Sequence, residues 1–156
     1  MEVQAIRRTP GSLPPELTRI EGPDYLPQLL ESSDFIVIAA PDTRETYQLI
    51  GAKELALIRP TSVLISLTRG SLIDDEALIQ ALSERRLRGA ALDVFQKEPL
   101  PSDHPFWTLD NVLITPHVGG TSVRFWDRQT ELILSNICRY LSGEELMNRV
   151  DKECGY

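Results

Sequence analysis

The chain has 156 residues, 42% of them hydrophobic and 25% charged, which is enough for one ordinary domain with a real core and too few for two. Its formal net charge of −7 and pI of about 4.8 argue against a nucleic-acid or anionic-membrane partner. No apolar run is long enough to span a bilayer, the first residues lack the pattern of a signal peptide, and the two cysteines, Cys138 and Cys154, form neither a disulfide framework nor a metal-ligand spacing.

In chain order, VQAI at 3–6 predicts a strand that stops at Arg7, Arg8 and Thr9. LTRI at 17–20 lies among Pro10, Gly11, Pro14, Pro15, Gly22 and Pro23, so a short edge piece or a loop is expected there. Residues 24–33 predict a short helix, with Pro27 tolerated in its first turn. FIVIAA at 35–40 is the second clear strand and ends at Pro41; Thr46–Ile58 then carries apolar residues at mixed helical spacing, interrupted by Gly51. SVLISL at 62–67 runs into Thr68, Arg69 and Gly70. The segment DDEALIQALSERR at 74–86 predicts a helix capped by Asp74, with Asp75 and Glu76 as first-turn acids. GAALDV at 89–94 and NVLITP at 111–116 are two more strands, and residues 121–142 predict a long helix stopped by Gly143. The last four strands are nearly continuous in apolar character, as strands buried on both faces are.

Alternating strands and helices imply right-handed crossovers and a parallel sheet with helices on both faces, whose ligands sit beyond the carboxyl ends of the strands. Arg69, Asp93 with Glu98 in the loop beyond it, and His117 all follow strands, so an arginine, a carboxylate and a histidine converge on one edge. Taken singly, Arg69 could serve a surface ion pair, Glu98 a turn and His117 a helix cap. Joint placement favours chemistry on a 2-oxo or 2-hydroxy acid. An arginine fork grips a carboxylate, a histidine moves the hydroxyl proton, and a glutamate bonded to it fixes the ring and favours its protonated form. The hydride needs a nicotinamide cofactor. His104, in a loop, reads as structural, and neither Ser66 nor Ser71 has a nucleophile-elbow context.

The stretches LISLTRGSLIDDEALIQAL, GAALDVFQKEPLP and NVLITPHVGGTS resemble, in correct succession, the nucleotide-binding domain of the D-isomer-specific 2-hydroxyacid dehydrogenase family, in particular its glyoxylate and hydroxypyruvate reductase branch. The resemblance implies residues 1–143 as a partial dinucleotide-binding domain, with 144–156 as a C-terminal tail. It implies Arg69 as substrate-binding arginine, Glu98 as partner of the histidine, and His117 as acid/base. Asp93 would face the nicotinamide carboxamide, Pro41 and Thr68 would line the cofactor cleft, and Gly119 and Gly120 would adjoin it. Arg7, Arg8 and Thr9 stand where NAD-preferring members carry an acid, so they suit a 2′-phosphate and favour NADP over NAD. Ser66 stands where the family often has Asn.

The sequence holds no GxGxxG turn, and the resemblance therefore implies an incomplete Rossmann-like sheet whose central first strand is missing. Two repairs are expected: strand 3–6 moves beside FIVIAA, or a second copy of the chain covers the edge as a homodimer. The implied protein is cytoplasmic, without metal, nucleic-acid or membrane partner, and acts on a small 2-oxo or 2-hydroxy acid. A non-catalytic dehydrogenase remnant that dimerises or weakly binds a nucleotide is the alternative.

Overall fold

The computed structural model describes residues 1–9 and 11–153, so Pro10 and Cys154 lie outside the described residues. The elements are β1 (Gln4–Ile6), β2 (Arg19–Glu21), α1 (Leu26–Ser32), β3 (Phe35–Ile38), α2 (Ala52–Leu55), β4 (Val63–Ser66), α3 (Asp75–Ser83), β5 (Gly89–Leu92), β6 (Val112–Ile114) and α4 (Phe125–Leu141). The four later strands form a parallel sheet in the order β3-β4-β5-β6, and β1 pairs with β2 in a separate parallel ribbon. The class is α/β and Rossmann-like, as the sequence implies.

Register explains the core. Ile36, Leu64 and Ala90 lie level across the sheet, as do Ile38, Ser66 and Leu92, and all six are buried. The five apolar ones meet Leu30 of α1, Leu55 of α2, and Leu78, Ala81 and Leu82 of α3 in one apolar cluster. The alternate residues point to the other face. There Phe35 is 61%, Val37 55% and Leu113 65% exposed. The strands are thus written for burial on both faces, and the described helices supply it on one.

The proposed move of strand 3–6 beside FIVIAA does not occur. β1 takes its hydrogen bonds from residues 19–21, where Gln4, Ala5 and Ile6 lie opposite Arg19, Ile20 and Glu21. The weak 17–20 candidate is therefore a true edge strand, beginning two residues later and ending one later. Among the described residues β1 pairs only with β2, and β3 only with β4.

Local chemistry also shortens two helices. The expected 46–58 helix is only Ala52–Leu55, because Gly51 is extended and Ile50 bridges to Ile73 instead, donating to the Leu72 carbonyl at 3.0 Å. α3 begins as expected, with Asp74 accepting from the Ala77 amide at 3.1 Å. It ends early where Arg85 turns left-handed (φ 57°) and the Arg86 amide closes on the Ala81 carbonyl. α4 stops at Gly143 (φ 70°), as the sequence says, but none of its residues is fully buried. His104 caps the short turn Pro105–Thr108, its Nδ1 accepting from the Phe106 amide.

Candidate active site

Parallel register sets the carboxyl ends of β4, β5 and β6 side by side, and the three chemical groups follow from those ends. β4 runs through Thr68 into Arg69, which is exposed and extended, its Nη1 donating to the Thr68 carbonyl at 2.7 Å. Gly70 then starts a tight turn against the next loop. A Cβ at Gly70 would stand 2.0 Å from the Phe95 carbonyl carbon, so only glycine allows this approach.

Past β5, Asp93 is only 3% exposed. Its Oδ1 accepts from the Thr115 hydroxyl at 2.5 Å and the Val118 amide at 2.9 Å, and its Oδ2 accepts from the Gly119 amide at 2.7 Å. Burial pushes this carboxyl up, but the bonds from Thr115, Val118 and Gly119 outweigh it and hold the pKa below the usual value. Further along, Glu98 Oε1 accepts from the Phe95 amide at 3.0 Å, and Oε2 lies 2.7 Å from His117 Nδ1. The hydrogen bond from His117, then that from Phe95, hold the Glu98 carboxyl below its usual range, with Arg69 adding a smaller pull.

The pair's geometry defines its chemistry. An ionised Glu98 can only accept, so Nδ1 of His117 carries hydrogen, and Nε2 is the nitrogen left to exchange a proton with a ligand. The pair is partly open to solvent, at 43% and 36% side-chain exposure, so a small molecule can reach it. His117 is itself left-handed (φ 55°), an unusual state for a non-glycine residue.

The proposed cofactor residues fall into two groups. Thr68, Asp93 and Gly119 lie beside the trio. Thr68 Oγ1 is buried without a partner, a polar atom that a ligand could satisfy, while a Cβ on Gly120 would meet nothing within 4 Å. Arg7, Arg8 and Thr9 stand apart, after β1. The Arg7 amide continues the ribbon to the Glu21 carbonyl, and Arg8 Nε lies 3.8 Å from Glu45 Oε2. That ion pair ties the end of β1 to the loop after β3, where Pro41 accepts from Thr46. The two groups differ in chemistry, with guanidinium groups at one and an orphaned hydroxyl beside a buried carboxylate at the other. Thr115 escaped the sequence reading. Its signal was a strand-end hydroxyl beside Asp93, in register because the Thr115 amide bonds the Leu92 carbonyl.

Among the described residues no group of His, Cys, Asp and Glu is placed to hold a metal, and no helix is long and apolar enough to cross a membrane.

Residues 1–119 match the family model described as the NAD binding domain of D-isomer specific 2-hydroxyacid dehydrogenase. A glyoxylate reductase of Thermococcus gammatolerans is 42% identical over 128 residues, covering 82% of this chain and 38% of the relative. One from Thermofilum pendens is 43% identical, also over 82% of this chain and 38% of the relative. The chain therefore spans well under half the length of these relatives. A D-isomer specific 2-hydroxyacid dehydrogenase of Xanthobacter autotrophicus Py2, solved with NADPH and MES, superposes with a TM-score of 0.91 at 37% identity, over 99% of this chain and 63% of that one. The NADPH-dependent glyoxylate/hydroxypyruvate reductase of Sinorhizobium meliloti, solved with NADP and sulfate, gives 0.90 at 29% identity, over 99% and 49%.

Proposed function

The chain belongs to the D-isomer-specific 2-hydroxyacid dehydrogenase family, within its NAD-binding domain, and from that premise we propose that it serves the NADP(H)-dependent reduction of a small 2-oxo acid of the glyoxylate or hydroxypyruvate type. The observation that carries this reading is the 2.7 Å contact between His117 Nδ1 and Glu98 Oε2 at a strand end beside Arg69. The reduced nicotinamide, when bound, supplies the hydride to the carbonyl carbon. Arg69 holds the substrate carboxylate and polarises the adjacent carbonyl. His117 gives the proton on Nε2 to the carbonyl oxygen, and Glu98 stabilises the ring while it is charged. In the oxidative direction His117 takes the same proton back. Thr68, Asp93, Gly119 and Gly120 border the nicotinamide end, and Pro41 the cleft between the two ends.

NADP preference rests on Arg7, Arg8 and Thr9. Two guanidinium groups and a hydroxyl suit a 2′-phosphate, whereas a ribose with free hydroxyls calls for an acid. The two solved relatives bound to NADPH and NADP support this reading. The test is oxidation of NADPH and of NADH by this chain with glyoxylate. NADPH is expected to be favoured at least tenfold, and Arg7→Glu with Arg8→Glu to remove that preference; equal use of both cofactors contradicts it.

The partner proposed is a second copy of the chain. A 17.6 kDa monomer exposes about 7,900 Å², and this chain exposes 10977 Å². The excess, roughly 3,000 Å², is at least one protomer's share of an obligate interface. It includes the open sheet face and the apolar stripe of α4, where Ile133, Ile137 and Leu141 are all at least half exposed. The same open surface favours the second reading, a remnant that associates or binds nucleotide without turnover. NADPH binding with no glyoxylate reduction would select it. We place the activity in the cytoplasm, where the exposed free thiol of Cys138 stays reduced.

A further inference from the structure

We propose that Thr115 is a positioning residue, whose hydroxyl bond to Asp93 holds the 115–119 loop so that His117 meets Glu98; the proposal rests on the acid/base reading of that pair. Three donors reach the one buried carboxylate. Thr115 Oγ1 comes from the residue two before His117, and the Val118 and Gly119 amides from the two after it. Asp93 therefore grips the loop on both sides of the histidine.

The grip has something to hold. His117 sits at φ 55°, a conformation that an ordinary L-residue seldom adopts and that persists only where its surroundings impose it. The local bond from the His117 amide to the Thr115 carbonyl, at 3.1 Å, closes the same turn. Asp93 also fixes the other half of the pair. Its backbone continues β5, its amide donating to the Ser66 carbonyl at 3.0 Å. Two residues later the Phe95 amide orients Glu98. One carboxylate thus locks the strand end that leads to Glu98 against the loop that carries His117. Gly119 is part of the device, since a Cβ there would lie 2.9 Å from Asp93 Oδ2.

Thr115 is the replaceable element. Asp93 is ionised and can only accept, so the Thr115 hydroxyl must donate to it. Valine at 115 has the same shape and no donor, and leaves Oδ1 with the Val118 amide alone. The loop is then held only on the far side of His117, and its contact with Glu98 loosens.

The experiment is side-chain NMR on this 156-residue chain, following the Glu98 carboxyl through its titration and the ring nitrogens of His117. Only two histidines are present, so the ring signals are separable. In the parent chain Glu98 is expected to titrate below the ordinary glutamate value. Thr115→Val is expected to move it up towards the ordinary glutamate value, as its bond from His117 loosens, and to weaken the Nδ1–H signal, and Thr115→Ser to restore both. Where turnover is measured, kcat is expected to fall about tenfold in Thr115→Val with KM within twofold. Unchanged Glu98 and His117 signals in Thr115→Val overturn the proposal. Should that variant not fold, Thr115→Ala is read against Thr115→Ser, and equal loss of the pair in both overturns it. Because the NMR readout needs no turnover, failure of the reductase reading leaves this test intact.

Discussion

His117 and Glu98 work as a pair because each fixes what the other presents. Glu98 spends one oxygen on the Phe95 amide and the other on the imidazole, so its carboxylate cannot rotate away. Its pKa is lowered in the folded chain, first by His117 and then by Phe95. The sign of the pH dependence follows. Stability from this carboxylate is present above the unfolded glutamate value and disappears as pH falls through the lower folded value. Denaturant melts of the parent and Glu98→Gln are therefore expected to differ at pH 7 and to converge as pH falls through the lowered folded value. A difference that grows on acidification would contradict the pairing. The placement of Arg69, Glu98 and His117 at one sheet edge was legible in the sequence because all three follow apolar strands. Thr115 was not, because a hydroxyl two residues before a histidine acquires meaning only from the strand beside it.

At the scale of elements, the strand assignments came through because each apolar run is bounded by a break the backbone obeys. The helices were less legible. Residues 46–58 carry helical spacing, but Ile50 found a better partner in the Leu72 carbonyl, a nonlocal bond that no local pattern encodes. The strand at 19–21 was hidden by the prolines around it and exists because β1 needs a partner. The tightest junction between elements is Gly70, which lets the Arg69 turn press on the loop carrying Glu98. Gly70→Ala forces a Cβ into the Phe95 carbonyl, and main chain cannot yield as a side-chain tip can. It is expected to cost about 3 kcal/mol in denaturant melts and to move the Glu98 and His117 signals together. A fully stable Gly70→Ala would show that the two loops are not in contact.

The whole molecule is a parallel sheet finished on one side. Ile36, Leu64, Ala90 and Leu92 anchor a complete core with α1–α3, while Phe35, Val37 and Leu113 face outward on the same sheet. The sequence announced both faces by its continuous apolar runs, and a single chain cannot announce who covers the second. With a second copy as the partner, sedimentation equilibrium at tens of micromolar is expected to return twice the 17.6 kDa chain mass, and Val37→Glu with Ile137→Glu to return the monomer. A monomeric parent chain would contradict the dimer. NADPH oxidation with glyoxylate by the parent chain and by His117→Gln tests the proton-donor role of His117 most directly. A glutamine at 117 keeps a polar side chain but cannot give up a proton near neutral pH. The expected result is one glycolate formed per NADPH consumed by the parent chain, and a rate at least a hundredfold lower in the variant; equal rates in the two would contradict it.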